Sequence, residues 1–491
     1  MPFRWGPPVL GVIAAALAAS LWLAGAYPLV DPDEGRNAEV AREMAERGDL
    51  VIPHLAGMPY LDKPPGLFWA AAASIRAFGT TPFAARLPAA LAACVTLLLL
   101  ARLATREGDP GFALRVVALT AVAPLFAVLS AYVIFDMPLT ACVTAVWTGL
   151  ARELTAGRSA RRRLLMFLAV ALGILVKGPV MLAWAVGGSL AAALLLRRPG
   201  ALGWLAWGPG WLVVIALAGG WFALAVARHP EYPRYAFLEE SLERLTSGSF
   251  RREQPWWFVP AVLAGGALPW SLLTPWLALR TPRGRRPAPP PGGPVAARVA
   301  LGFLLFAAVF FTLSRSKLVT YLLPALPPLA WLAAAAWTRA TMRARRWAFA
   351  AVVAAFPIAI VAGRPMLVDY ARSESGAPLA DAIVAGGGGP VRYEACYSPG
   401  TDYRLGRRGD LVEVGGLEIT SNYQHRYRAS LAARGLWTPR ERSAADAVPH
   451  PAAVIVRPAP RAGTAPAAPP AGTAEFFRDR RFVAYRRLVS P

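Results

Sequence analysis

Of the 52 Lys and Arg side chains in this chain of 491 residues, only three are lysines: Lys63, Lys177 and Lys317. Each stands at the edge of an apolar run, in Asp62-Lys63-Pro64-Pro65, Lys177-Gly178-Pro179 and Ser314-Arg315-Ser316-Lys317. Lysine carries a compact ammonium on a flexible stem, whereas arginine carries a planar fork. A chain that spends arginine nearly everywhere else is expected to keep lysine where a point charge matters. Three such charges converging on one outward pocket would suit a phosphate or pyrophosphate group. The alternative is chance placement, with the stems snorkelling to a membrane interface.

The acids complete the chemistry. Asp31, Asp33 and Glu34 open a polar segment, Asp31 to Pro65, that directly follows the first apolar run. Asp31 or Asp33 could cap a helix and Glu34 could complete its first turn. Capping accounts for one acid, and three in four residues leave Asp33 as a candidate general base on an acceptor hydroxyl. Asp136 lies in the tight apolar hairpin Tyr132-Val133-Ile134-Phe135-Asp136-Met137-Pro138. An acid there is costly unless paired or wetted, so it is read as functional, with an N-cap before Pro138 as the alternative. Tyr321 ends the run Lys317-Leu318-Val319-Thr320-Tyr321 at the expected outer end of a span, where a belt tyrosine is the rival reading. Glu240 and Arg244 are spaced as an i,i+4 pair on an expected helix Phe237 to Leu245, ahead of Trp256 and Trp257. Arg244 is either a plain surface pair or a ligand for an anionic headgroup.

The elements that must position these residues are membrane spans. The chain is 56% hydrophobic and 16% charged, and apolar runs recur at 7–26, 83–103, 114–131, 138–151, 164–176, 180–196, 201–227, 256–279, 296–313, 321–338 and 347–363. That predicts about eleven spans, and an all-α polytopic fold of about 11–13 helices. Arginine clusters occupy every second loop, as in Arg161-Arg162-Arg163 and Arg197-Arg198. The positive-inside rule puts these loops and the N-terminus in the cytoplasm, and the loops 27–82 and 228–255 outside. The net charge of +23 therefore reports topology, and nucleic-acid binding is excluded as a reading. Ala24-Gly25-Ala26 offers a signal-peptidase site as a rival to a retained first span. Within the polar segment, Ala38 to Met44 reads as a short amphipathic helix lying on the membrane surface, apolar through Val40, Ala41 and Met44.

Residues 1–364 are thus expected to form the membrane domain, with a Pro/Gly linker at 281–295, and 365–491 a small outward-facing α/β domain. Strands are predicted at Val391–Tyr397, Ala453–Val456 and Phe482–Tyr485, helices at Ala377–Val384 and Arg428–Ala433, and a loop from Pro458 to Gly472. Cys94, Cys142 and Cys396 form no framework, and His54 and His229 lack partners at ligand spacing.

The motifs Asp33-Glu34-Gly35-Arg36-x-Ala38-Glu39-x-Ala41-Arg42-Glu43-Met44, Gly48-Asp49-x-x-x-Pro53-His54 and Tyr60-x-Asp62-Lys63-Pro64-Pro65-Gly66 resemble the first periplasmic loop of bacterial lipid-linked-sugar glycosyltransferases. These are the lipid A aminoarabinose transferases and their relatives, which share the GT-C membrane fold of the protein O-mannosyltransferases. The likeness continues through Phe135-Asp136-Met137-Pro138, Lys177-Gly178-Pro179, Glu240…Arg244, Gln254-Pro255-Trp256-Trp257 and Ser316-Lys317…Tyr321…Pro324. It covers roughly residues 1–360. The resemblance implies an inner-membrane enzyme, acting as a monomer, that moves aminoarabinose or another pentose or hexose from undecaprenyl or another polyprenyl phosphate to lipid A or another periplasmic glycolipid. It implies Asp33 as the catalytic carboxylate, with Asp136 as the second catalytic residue nearby at the acceptor or donor site. Tyr60, Lys63, Lys177, Arg244 and Tyr321 would bind the phosphate headgroup, and Glu34, Arg36, Asp62 and Lys317 complete the substrate-binding set. The family's second loop carries a histidine after its glutamate, which would pair with the acid at Asp62 to hold a divalent metal. This chain has Ser241 there, so Asp62 is at most a weak metal candidate, is expected instead to orient Lys63, and no cofactor is assigned. The rivals are hexosyl or mannosyl transfer to protein or polysaccharide and, from another class, a transporter or flippase for lipid-linked sugars. Transport is disfavoured by the absence of repeated halves and of mid-membrane charge.

Overall fold

The computed structural model describes residues 6–243, 253–279, 293–442, 454–460 and 468–487. The chain divides into two compact units. One holds the residues up to Ala24 with Arg86–Gly363, and the other Gly25–Ala85 with the chain from Arg364 onward.

The first unit is helical over most of each predicted apolar run, although 203–207, near the start of the run 201–227, is not helical. Among the described residues, six helices are long and apolar enough to cross a membrane: Pro7–Ala26, Pro82–Glu107, Gly208–Arg228, Pro294–Leu313, Val319–Trp337 and Met342–Ser373. The run at 256–279 is two helices, Phe258–Gly266 and Trp270–Leu279, bent by 90°. Pro269 lies at the bend, where a missing N–H cannot continue the ladder. The run at 114–131 likewise breaks, into Pro110–Ala121 and Pro124–Leu129, just before Pro124. The other three runs are the helices Asp136–Ala156, Ala160–Lys177 and Val180–Leu196, which are shorter or charged at their ends. The chain is therefore a multi-pass membrane protein.

Small residues let these helices approach. A Cβ on Gly302 would stand 2.5 Å from the backbone nitrogen of Ala192, so Pro294–Leu313 and Val180–Leu196 touch backbone to backbone. Gly187 and Gly188 leave the space that the rings of Phe306 and Phe303 fill. Deeper in, Trp331 meets Phe112 and Trp147 edge-on, with ring centroids 4.9 and 5.7 Å away.

In the second unit a five-stranded mixed sheet runs in the order Asp410–Val412, Val391–Glu394, Val454–Pro458, Phe482–Arg487, Thr473–Arg478. The first three strands are parallel, and the last two pairings are antiparallel. The three predicted strands and the helices Ala377–Ala385 and Arg428–Ala433 are present. Among the elements that the sequence reading missed are two strands of this sheet, Asp410–Val412 and Thr473–Arg478, the short hairpin His54–Leu55/Met58–Pro59, and the helices Pro399–Leu405 and Asn422–Arg426. Thr473–Arg478 alternates poorly and carries a bulge at Glu475/Phe477, which masks its period-2 signal.

The polar segment packs into this unit. Its helix spans Asp33–Arg47 and lies against Gly66–Phe78, fixed by Arg76 Nη2 donating to the Ala45 carbonyl at 2.7 Å and Trp69 Nε1 to the Leu50 carbonyl at 2.8 Å. This corrects the picture of a surface amphipathic helix. Glu34, Asn37, Glu39, Arg42 and Glu43 are as buried as Val40 and Met44, because the polar face is covered by Pro399–Leu405.

Candidate active site

In the first unit, Asp136 begins the helix Asp136–Ala156 and Lys177 ends Ala160–Lys177. Each charge sits at the helix end whose dipole favours it. The helix ends at Gly178, whose φ of +83° suits glycine and whose N–H donates to the Ile174 carbonyl at 2.7 Å. The Lys177 ammonium forms an ion pair with the Asp136 carboxylate and lies 4.4 Å from the centroid of the Tyr321 ring. The two side chains are 12% and 3% exposed, so the pair is largely out of water. Asp136 starts its helix from within, and the preceding Phe135 makes no side-chain cap.

Lys317 is buried and donates to the Gln254 carbonyl at 3.0 Å. The partners of Lys177 are thus Asp136 and Tyr321, whereas Lys317 is held by backbone. Trp256 and Trp257 are exposed, as interfacial aromatics are. Arg244, with the expected Glu240–Arg244 pair, the side chain at Ser241 and most of the 281–295 linker, lies outside the described residues.

In the second unit, Asp33 is the first residue of its helix, and its carboxylate is 61% exposed and 2.6 Å from Arg36 Nη2. Arg36 is half-buried, and the desolvation works against its charge, while Tyr60, Asp33 and Asp62 favour it, and the net effect raises its pKa. Its Nη1 donates to the Thr420 carbonyl at 2.9 Å and to Thr420 Oγ1 at 3.2 Å. Glu34 is fully buried, and its carboxylate accepts from Val30 N at 3.1 Å. Tyr60 is buried edge-on to Phe68.

Neither Asp31 nor Asp33 caps the helix. The N-cap is Pro32, without a side-chain bond. Asp31 instead points into the sheet-bearing part of the unit, where burial pushes its carboxyl up to about 6 against the pull of Arg481, Ser398 and Gly400. Asp402 is pushed up to about 7, chiefly by burial, although Gly409 N and the Tyr393 hydroxyl donate to it at 3.0 and 2.8 Å. Glu39 is raised as well, by burial that outweighs its bonds to Arg42. The sequence reading missed this buried set, whose only local signal was the i,i+3 spacing of Glu39 and Arg42.

Asp62 was expected to orient Lys63. Its carboxylate instead holds the start of the helix Asn422–Arg426, accepting from the Ser421 hydroxyl, from Asn422 N at 3.0 Å and from Tyr423 N at 3.2 Å. Lys63 Nζ donates to the backbone carbonyl of Asp62 at 2.8 Å. The Asp62 carboxylate oxygens are thus turned to Ser421, Asn422 and Tyr423. Among the described residues no group of three or more His, Cys, Asp or Glu could hold an ion.

Comparison with known proteins bears on this arrangement. The family described as dolichyl-phosphate-mannose-protein mannosyltransferase matches residues 62–223. An undecaprenyl phosphate-alpha-4-amino-4-deoxy-L-arabinose arabinosyl transferase of Pseudomonas fluorescens is 33% identical over 340 residues, covering 67% of this chain and 55% of that protein. Its counterpart in Pseudomonas aeruginosa is 36% identical over 313 residues, covering 61% and 54%. The chain thus spans about half the length of the curated relatives it matches. The crystal structure of ArnT from Cupriavidus metallidurans bound to undecaprenyl phosphate superposes with a TM-score of 0.76 at 23% identity, covering 98% of this chain and 99% of that one. The same protein in the apo state gives 0.74 at 22%, with the same coverage. The chain therefore has the GT-C membrane fold, and in sequence it resembles the aminoarabinose transferases of that superfamily.

Proposed function

We propose that this protein is an inner-membrane glycosyltransferase. It moves aminoarabinose, or a related pentose or hexose, from undecaprenyl or another polyprenyl phosphate to lipid A or another glycolipid, on the outer face of the membrane. The N-terminus is cytoplasmic, the sheet-bearing domain is periplasmic, and the enzyme acts as a monomer. The observation that carries the reading is the Lys177 ammonium held between Asp136 and Tyr321 at the end of an apolar helix. A cation kept largely from water and balanced by one carboxylate is well prepared to receive a phosphate, because desolvation strengthens its attraction for an anion.

In the proposed reaction Asp33 takes the proton of the acceptor hydroxyl as that oxygen attacks the anomeric carbon. The bond from that carbon to the phosphate oxygen breaks with its electron pair, the configuration inverts, and polyprenyl phosphate leaves. Lys177, with Lys63, Lys317, Arg244, Tyr60 and Tyr321, stabilises the charge that develops on the leaving phosphate. Glu34, Arg36 and Asp62 shape the loop that presents Asp33, Tyr60 and Lys63. No step is assigned to a divalent metal, and activity is expected to survive EDTA.

The test is transfer by the purified enzyme in detergent, offered undecaprenyl-phosphate aminoarabinose and lipid A. Release of undecaprenyl phosphate together with glycosylated lipid A is the expected result, and because detergent leaves no compartment to transport across, it also excludes a flippase. Absence of transfer under conditions where a known aminoarabinose transferase works would overturn the choice of sugar or acceptor. The match of residues 62–223 to the protein mannosyltransferase description favours a second reading, hexosyl transfer to protein. A panel pairing polyprenyl-phosphate mannose with protein acceptors separates the two.

A further inference from the structure

Asp31 lies two residues before Asp33, and its buried carboxylate is gripped from several directions. Ser398 Oγ donates to Oδ2 at 3.3 Å, Gly400 N to Oδ1 at 3.1 Å, and Arg481 Nη1 to Oδ2 at 3.4 Å. Two glycines make the room. A Cβ on Gly35 would stand 1.9 Å from Oδ1, and one on Gly400 2.6 Å from it. The backbone ties the same knot, since Asp31 N donates to the Glu374 carbonyl at 2.8 Å and Arg481 Nη1 reaches that carbonyl at 3.3 Å.

Arg481 is itself held in place. It sits in the turn between the strands Thr473–Arg478 and Phe482–Arg487, where Asp479 Oδ1 accepts from Arg481 N at 2.7 Å and from Phe482 N at 2.6 Å. Its guanidinium lies 5.0 Å from the centroid of the Phe482 ring. The neighbouring Arg480 pairs with Glu374. One end of the knot is therefore a turn of the sheet, and the other is the residue from which the helix Asp33–Arg47 departs.

We infer that Asp31 is a positioning residue: anchored by Arg481, Ser398 and Gly400, it fixes where the helix Asp33–Arg47 begins and hence where the Asp33 carboxylate points. The inference rests on the reading of Asp33 as the base. It gives the C-terminal sheet a part in the reaction without contact with substrate. Asp33 is largely exposed and its carboxylate meets Arg36, three residues on in the same helix, so its aim follows the start of that helix. Displacing a reacting group by about 1 Å can cost about 100-fold in rate.

The full-length enzyme in detergent tests this with Arg481→Ala, Arg481→Lys, Asp31→Asn and Gly400→Ala, and with Asp33→Asn as reference. Arg481→Ala, Asp31→Asn and Gly400→Ala are expected to lower kcat about 10- to 100-fold with the donor KM changed less than about twofold. Arg481→Lys keeps the charge and should retain most of kcat. Added guanidinium ion should restore part of the rate to Arg481→Ala and none to Asp33→Asn. Hydrogen exchange of the amides of Asp33–Arg47 should quicken in Arg481→Ala and Gly400→Ala. Wild-type kcat and unchanged exchange in both of these variants would overturn the inference. If Asp33→Asn keeps full activity while exchange still quickens in Arg481→Ala, the catalytic reading fails and the anchor alone stands. Gly400→Ala removes no charge, so it decides the matter should Arg481→Ala fail to fold.

Discussion

Asp33 and Asp136 each begin a helix, one in each unit, yet the first side chain is 61% exposed and the second 3%. Asp33 meets Arg36 directly at 2.6 Å, in a pairing open to solvent on the acid's side and therefore screened to little net value. Asp136 meets Lys177 in a site that water hardly reaches. The difference separates two uses of the same carboxyl group. An exposed carboxylate can accept a proton from an arriving hydroxyl and release it again. A buried one in contact with an ammonium serves to hold the cation, and losing either partner would leave an uncompensated charge.

The largest effect is expected at Asp33. Asp33→Asn keeps the shape and the first turn but removes the base, so kcat should fall by about 10²- to 10⁴-fold with the unfolding temperature unchanged. Activity near the wild-type level would remove Asp33 from the chemistry. At Asp136 the expected effect is on stability first. Asp136→Asn strands the Lys177 charge, and breaking a buried pair costs about 3–5 kcal/mol. The double variant Asp136→Asn/Lys177→Met should regain most of that stability, because no charge is left unpaired, while donor binding stays lost. Recovery of donor binding in the double variant would show that Lys177 is structural.

Much of the first unit was legible because a membrane makes charge conspicuous. Asp136, Lys177 and Tyr321 stand out at the ends of apolar runs, and the demand that a buried acid be paired followed from its position alone. Its partner did not follow. The sequence grouped Lys177 with the other lysines and Asp136 with Asp33, and only the packing of Asp136–Ala156 against Ala160–Lys177 brings the two charges together. The second unit hid more. Asp62 closes on Ser421–Tyr423, Asp31 on Ser398, Gly400 and Arg481, and the polar face of Asp33–Arg47 on Pro399–Leu405. These partners lie more than 300 residues away, with separations of 359 to 361 for Asp62. No local pattern encodes such pairing, and a helix with charges on its covered face looks like one made for a surface.

The buried acids of the second unit sharpen the contrast through pH. Burial raises Asp402 from an ordinary 3.8 to about 7, so the folded form keeps a proton that the unfolded chain gives up above about pH 4. Its contribution to stability is complete below about pH 4 and is lost as pH rises to about 7. Glu39, raised by the same burial, acts in the same direction. Thermal unfolding followed across this range should show the midpoint falling as pH rises, and Asp402→Asn should flatten the slope. A midpoint that rises instead would mean that Asp402 is ionised in the fold, held by Arg42.

The smallest effect is expected at Lys63, and it tests whether the exposed side of the comparison extends beyond Asp33. Lys63 Nζ donates to the Asp62 carbonyl, while the Asp62 carboxylate secures the helix Asn422–Arg426. The Lys63 ammonium is a compact positive charge of the kind that a donor phosphate attracts. Lys63→Ala removes one charge-assisted contact with the donor and should raise its KM by about tenfold, leaving kcat and the unfolding temperature near those of the wild type. Should the donor KM stay fixed while the unfolding temperature drops, the charge of Lys63 belongs to the loop. The phosphate would then depend on the cations of the helical unit, with Lys177 foremost because it is paired with a carboxylate largely out of water.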